Sequence, residues 1–272
     1  MVLVGMSEFE HATAVQRSNE RTYTGEIATG WDIAGNANGG YLMALAARAM
    51  SDAVGRPPLS ITAHYLSPGK VGPVEVDVDV VRAGRRMAVV RATLRSTAGE
   101  ILALLGTFSD LPDPGSAGPS VIDSLPPDVA PIDRCLRSGP PAEAGESGFG
   151  ERVVASYDPR DVGFRDGAPS GKALVRGWFE FADRAPVDAF GLLVAVDAFA
   201  PVCFNRPEFP VAWAPTLELT AHIRERPAPG PLRVAFSSRF IQDGMFEEDG
   251  EVWDSRGVLV AQSRQLALIP KS

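Results

Sequence analysis

The chain has 272 residues, 45% of them hydrophobic, enough to fill one large domain or two of ordinary size, which excludes disorder throughout. Its formal charge of −8 and pI near 5.0 argue against a surface made to hold DNA, RNA or an anionic membrane. Two cysteines, Cys135 and Cys203, cannot build a disulfide framework, and no Cys/His cluster has zinc-site spacing. The first residues, MVLVGMSEFEH, carry no basic region followed by an apolar leader stretch, and no segment reaches the ~18 apolar residues of a membrane span. The expectation is a cytoplasmic protein with neither a membrane nor a nucleic-acid partner.

The first strong element is a helix. Asn38 can cap it, and Gly39, Gly40 and YLMALAARAM follow, rich in good helix formers and apolar on nearly every side, so the helix should be buried. Four strand-like runs come next: SITAHYL, VEVDVDVVRA, MAVVRATLRS and EILALLGTFSD. VEVDVDV alternates strictly, as in a sheet with one wet face, and Gly- or Pro-containing turns between the runs suggest antiparallel pairing. The arginines Arg82, Arg85, Arg86 and Arg91 read as a solvated strand-and-turn face, with contact to an anionic ligand as the weaker alternative.

From about Pro112 to Gly150 the chain is rich in Pro, Gly, Ser and Asp, with PDPGSAGP and SGPPAEAGESG at its two ends. This composition fits a surface connector. GKALVRGWFEFAD then reads as a strand, VDAFGLLVAVDAFA as a second apolar helix, and TLELTAHIR, LRVAFSSRFI, FEEDGEVWDS and VLVAQSRQLALI as four more strands.

The two halves repeat. LSITAHYLSPGKVGPVEV (Leu59–Val76) aligns without a gap with LELTAHIRERPAPGPLRV (Leu217–Val234), and the constant offset of 158 also pairs Thr62 with Thr220, Gly72 with Gly230, Met87 with Met245 and Gly99 with Gly257. Two copies of one unit follow: residues 1–111, a connector at 112–150, and residues 151–272. Each copy is an antiparallel sheet wrapped around one buried helix, an α+β arrangement.

Within the second helix region, LLVAVDAFAP sets Asp197 in an otherwise apolar run. An ionised carboxylate is costly to bury unless it is paired or hydrogen-bonded, so Asp197 is either a cap or a chemical group. The Asn-Gly-Gly-Tyr start of the first helix, the PTLELTAHIR strand and the ending GVLVAQSRQLALI together resemble the acyl-CoA thioesterase II family of double-hotdog thioesterases, from about Tyr23 to Ile269 apart from the connector. The resemblance implies a tandem hotdog fold, hydrolysis of fatty acyl-CoA thioesters, and no metal or organic cofactor. It also implies a catalytic Asp, Thr and Gln, which fall on Asp197, on Thr216 in PTLELT and on Gln265 in VAQSRQL. Two features depart from the pattern: Glu218 stands where Asp is usual, and the surroundings of Asp197 are smaller and less polar.

Hydrolysis of a thioester needs an oriented water, a base for its proton and donors for the developing oxyanion. Asp197 suits the base, Thr216 and Gln265 suit the holding of water, and the backbone N–H groups at Asn38, Gly39 and Gly40 suit the carbonyl oxygen of the acyl-CoA. The alternative for the two glycines is close packing of the helix against its surroundings. His64 and His222 recur in both copies and read as structural, and Cys203 has no base beside it in the sequence. By the constant offset, the positions matching Thr216 and Gln265 in the first copy are Pro58 and Thr107, so one working site per chain is expected, with the first copy lining part of the acyl pocket.

Two other functions remain open at this level. A non-catalytic acyl-CoA or acyl-carrier binding protein would need the same fold, and a hotdog hydratase or dehydratase would need a catalytic His with an Asp, a setting neither His64 nor His222 has. No G-x-S-x-G elbow of a serine hydrolase is present. Association into a homo-oligomer is a further expectation, since paired sheets of this kind can extend.

Overall fold

A computed structural model describes residues 5–112, 121–138 and 148–270. The Pro/Gly-rich ends of the connector lie mostly outside these described residues. The first copy comprises β1 (Val15–Arg17), β2 (Thr22–Ile27), α1 (Gly39–Val54), β3 (Pro58–Tyr65), β4 (Gly72–Ala83), β5 (Met87–Ser96) and β6 (Gly99–Ser109). The second comprises β7 (Val153–Tyr157), β8 (Leu174–Phe181), α2 (Ala189–Ala195), β9 (Thr216–Ile223), β10 (Leu232–Ser237), β11 (Met245–Trp253) and β12 (Leu259–Leu268).

These strands form one continuous antiparallel sheet in the order β1-β2-β4-β5-β6-β3-β9-β12-β11-β10-β8-β7, with the short strand Leu136–Arg137 beyond β7. The two copies meet where β3 pairs with β9. There Thr62 lies opposite Thr220, with their hydroxyl oxygens 2.8 Å apart. These residues also match in the repeat, so a pseudo-twofold axis passes between them. The repeated glycines are explained by backbone geometry: Gly72, Gly230, Gly99 and Gly257 have φ of 134°, 117°, 134° and 76°, a region that L side chains rarely adopt.

Helix α1 is capped by Asn38, whose Oδ1 accepts the Tyr41 N–H at 2.9 Å, and it stops at Gly55 in the left-handed conformation with φ 64°. Tyr41, Leu42, Met43, Leu45 and Met50 are all buried, as an all-apolar helix requires. It packs on β2 to β6, while α2 packs on α1 and β9. Phe9, from the N-terminal segment, stacks on Phe181 of β8 at 4.7 Å and ties the copies together at another point.

The second helix is shorter than its sequence suggests, ending at Ala195 instead of running through Ala200. Asp188 caps it through the Phe190 and Gly191 N–H groups, at 3.0 and 2.7 Å. At the other end, the Asp197 N–H bonds the Val194 carbonyl in a tighter turn, and Pro201 lacks the N–H that a continuing helix would need. Asp197 therefore stands just past the helix, on the stretch that turns back towards α1.

Candidate active site

The first element of the site is the contact between α1 and the segment after α2. Gly40 is pressed so close that a Cβ there would lie 2.4 Å from the Leu193 carbonyl oxygen and 3.0 Å from the Asp197 Cβ. A Cβ on Gly39 would lie 2.8 Å from the Tyr65 hydroxyl and 2.9 Å from Asp197 Oδ2. Only glycine permits this approach. Across it, Asp197 Oδ2 accepts the Gly40 N–H at 2.8 Å and the Asn38 side-chain amide at 3.0 Å, while the same amide nitrogen donates to the Asp197 carbonyl at 2.8 Å.

Asn38 thus has two tasks: its Oδ1 caps the helix and its Nδ2 anchors the carboxylate. Burial raises the Asp197 pKa from 3.8 to about 6, and the Gly40 N–H, the Asn38 amide and the Gly39 N–H all act in the opposite direction. The carboxylate is partly buried, ionised at neutral pH, and easier to protonate than an ordinary Asp. In this arrangement the α1 N-terminus holds Asp197, and the Gly40 N–H that could have received a ligand oxygen is engaged.

The second element is a chain of side chains inside the second copy. The Thr216 hydroxyl donates to Gln265 Oε1 at 3.0 Å, Gln265 Nε2 donates to Glu248 Oε1 at 2.7 Å, and the Val202 N–H donates to Glu248 Oε2 at 2.8 Å. Glu248 and Gln265 are buried. As an acceptor, Glu248 fixes which end of the Gln265 amide faces Thr216, leaving the Thr216 lone pairs to accept from a further group. Burial raises the Glu248 carboxyl to about 7, the Val202 N–H and Gln265 pull it down, and the negative charges of Asp197 and Glu247 push it up.

Thr216 reaches this chain because of a β-bulge. On β9 the odd-numbered Leu219, Ala221 and Ile223 face the core, and strict alternation would turn Thr216 outward with Glu218 and Thr220. Between Thr216 and Glu218 the register with β12 slips: Thr216 lies opposite Ala267 and Glu218 opposite Leu266, so two steps on β9 span one on β12. The bulge brings the threonine onto the face that carries Gln265.

The structure thus joins Asn38, Gly39 and Gly40 to Asp197, and Thr216 to Gln265. Among the described residues no direct hydrogen bond is shown between these two groups; Val202, five residues after Asp197, is the backbone link to the chain through Glu248. Glu248 was missed in the sequence, although Phe246 and Val252 set an inward period of two on FEEDGEVW that includes it.

The remaining candidates lie elsewhere. His64 and His222 are exposed on β3 and β9. Cys203 is buried, and its thiol is pushed up to about 12 by burial and by the charge of Glu248, which suits packing and not nucleophilic attack. Arg82, Arg85 and Arg86 are exposed, and Arg91 pairs with Asp79 at 2.7 Å across β4 and β5. A surface depression lined by Ile132, Cys135, Arg137, Ser156 and Glu180 contains none of the site residues. No cluster of three or more His, Cys, Asp or Glu side chains among the described residues could hold a metal ion, and no helix there is long and apolar enough to cross a membrane.

One expected correspondence is corrected. The first-copy position equivalent to Gln265 is Gly106, not Thr107. Val90 of β5 pairs with Gly106 as Glu248 of β11 pairs with Gln265, and Thr107 is half-buried on the opposite face. The offset slips from 158 to 159 because the turn leading into β12 has one residue between Gly257 and Leu259, whereas Gly99 and Glu100 are adjacent at the start of β6; Trp253 pairs with Leu259 as Arg95 pairs with Glu100. Pro58 keeps its place, on a bulge of the same form between Pro58 and Ser60.

Comparison with known proteins gives a consistent result. A family profile for the acyl-CoA thioesterase N-terminal domain matches residues 27–109, and one for the acyl-CoA thioesterase C-terminal domain matches residues 124–269. Uncharacterized proteins from Mycobacterium bovis and Mycobacterium tuberculosis are 30% identical over 92% of this chain and 91% of their own length. A protein from Thermobifida fusca, assigned provisionally as a thioesterase II, has a solved structure with a TM-score of 0.89 and 32% identity over 98% of this chain and 99% of that one. A hot dog fold protein of unknown function from Alicyclobacillus acidocaldarius matches with a TM-score of 0.82 and 20% identity, covering 98% of this chain and 100% of that one.

Proposed function

Because the chain belongs to the acyl-CoA thioesterase family, we propose that it hydrolyses an acyl-CoA thioester to the free acid and CoA at a single site centred on Asp197. Thr216 and Gln265 hold a water through a hydroxyl and an amide, and Asp197 takes its proton as the water oxygen attacks the thioester carbonyl. The tetrahedral intermediate then collapses: the C–S bond breaks, the acid is released, and the proton on Asp197 passes to the departing CoA sulfur. Water is the only co-reactant. No step calls for a metal or an organic cofactor.

The observation that supports this reading best is the mounting of Asp197. A partly buried carboxylate held by the Gly40 N–H and the Asn38 amide, with its pKa near 6, is well matched to general-base work at neutral pH. Glu248 supports it as a positioning residue, setting the Gln265 amide from behind. The acyl-CoA substrate and the assignment of each role are part of the proposal.

The test is free-thiol release from butanoyl-, octanoyl- and palmitoyl-CoA by the wild type and by Asp197→Asn. The expected result is turnover by the wild type that falls about 10³-fold in the variant, within the ~10²–10⁴ span of general-base contributions. The variant is also expected to melt no lower than the wild type at pH 7. Since the folded-state pKa of Asp197 lies above its ordinary value, proton binding favours the folded state; this contribution is present below about pH 4 and lost as the pH rises through about 6. The ionised group is thus a net cost at pH 7, and an amide oxygen can keep both hydrogen bonds. Tight binding of acyl-CoA without turnover by a folded wild type would favour the non-catalytic binding protein instead.

A further inference from the structure

We propose that the Tyr65 hydroxyl, supplied by the first copy, is the donor that receives the carbonyl oxygen of the thioester. Tyr65 is the last residue of β3, on the same face as the buried Ile61 and Ala63, so its ring points towards the helices. Its hydroxyl is shielded from solvent and has no hydrogen-bond partner in the protein. Such a group is costly, and buried polar atoms without partners call for an explanation.

Its surroundings supply one. The hydroxyl and Asp197 Oδ2 converge on Gly39, each within 2.9 Å of the place where a Cβ would stand, yet no hydrogen bond joins them. The reaction needs a donor for the developing oxyanion within a few ångströms of the base but not bonded to it. The obvious donors cannot serve: the Gly40 N–H and the Asn38 amide are engaged by Asp197, the Gly39 N–H is also directed at that carboxylate, and the Tyr41 N–H is engaged by Asn38. The Tyr65 phenol is the donor beside the carboxylate that remains free. Burial and the negative charges of Asp197 and Glu218 hold its pKa well above the ordinary 10, so it keeps its proton across the working range.

This inference rests on the thioesterase reading and adds to it. The base comes from the second copy and the oxyanion donor from the first, so the two copies complete one site between them. The chemistry is unchanged in its balance: the Tyr65 proton stays on the phenol and is shared with the carbonyl oxygen while the tetrahedral intermediate lasts.

The test is Tyr65→Phe, which removes one atom that has no partner and should leave the melting temperature unchanged or higher. With octanoyl-CoA, kcat is expected to fall about 10²-fold or more, the usual loss for one oxyanion donor, with KM within about threefold. The acidic limb of the pH profile near 6 should stay in place, which separates loss of an oxyanion donor from disturbance of Asp197. Binding of two analogues gives a readout that needs no turnover: S-(2-oxononyl)-CoA, which retains a carbonyl, and S-nonyl-CoA, which has none. The wild type should prefer the ketone by about tenfold, ~1.4 kcal/mol, and Tyr65→Phe should erase that preference.

A folded Tyr65→Phe protein with wild-type kcat overturns the proposal. If the wild type hydrolyses no thioester, the function proposed above fails, and the analogues then decide for Tyr65 alone. A ketone preference lost in the variant upholds it as a carbonyl donor, and equal binding of the two analogues, or of neither, overturns it.

Discussion

The two copies carry the same backbone device and put different side chains on it. In the second, a bulge at the start of β9 turns Thr216 inward onto Gln265 and Glu248. In the first, a bulge at the start of β3 turns Pro58 inward, opposite Phe108, and the equivalents of Gln265 and Glu248 are Gly106 and Val90. A Cβ on Gly106 would already lie 2.9 Å from the Phe108 ring and 3.1 Å from Ile61, so no longer side chain fits there. One location is a hydrogen-bonded chain and the other a packed apolar plug. Since the bulge is common to both, it belongs to the architecture of the repeat, and chemistry depends on which side chain it carries.

This contrast can be broken at its polar end. Glu248→Gln keeps the shape of the side chain but, with its oxygen kept on the Val202 N–H, sets one amide N–H₂ against another, so Gln265 turns over and offers Thr216 a donor in place of the acceptor, reversing that hydrogen bond. The expected result is a drop in kcat of about tenfold, the weight of one hydrogen bond of ~1.4 kcal/mol, together with loss of any titration step near pH 7. An unchanged kcat would show that the orientation of Gln265 does not matter. At the apolar end the expected effect is smallest. Pro58→Thr restores the residue type of Thr216 to the first copy, yet with Val90 and Gly106 behind it the hydroxyl finds no chain to join. Turnover should stay within about twofold, at a stability cost of ~1 kcal/mol for a buried hydroxyl without a partner. A gain in turnover, or a large loss, would mean that the first copy has a site of its own.

Much of the fold was legible in the sequence because its signals are local and repeated. The period of two in VEVDVDV, the apolar run after Asn38-Gly39-Gly40 and the constant offset through Thr62 and Thr220 each report a backbone requirement directly. The end of α2 was not legible, since Val196, Ala198, Phe199 and Ala200 around Asp197 are as apolar as the helix before them and the break depends on how the chain turns back to α1. The match of Gln265 to Gly106 was hidden by one extra residue in the turn before β12, which a gapless alignment cannot register.

The candidate site was legible only in part. Asp197 stands out because a carboxylate in an apolar run is costly, whereas Glu248 sits among Glu247, Asp249 and Glu251 and looks like one more solvated charge until the inward period is counted. Tyr65 gives no sign in sequence that its hydroxyl lacks a partner, because that depends on Gly39 and Asp197 arriving from other elements. The engagement of the Gly40 N–H by Asp197 is likewise a tertiary fact, set by the segment after α2 and not by the pattern around Gly40.

The proposed hydrolysis depends most on Asp197 being the group that takes the proton from water. The direct measurement is the pH dependence of kcat/KM for thioester hydrolysis, from pH 4.5 to 8.5, in the wild type and in Asp197→Asn. An ionised base is needed for turnover, so the wild-type rate should rise with pH along an acidic limb that includes a step near 6, above the range of an ordinary aspartate, and the slow residual rate of the variant should lack that step. An acidic limb near 6 that persists in Asp197→Asn would contradict the account and assign the base to another group.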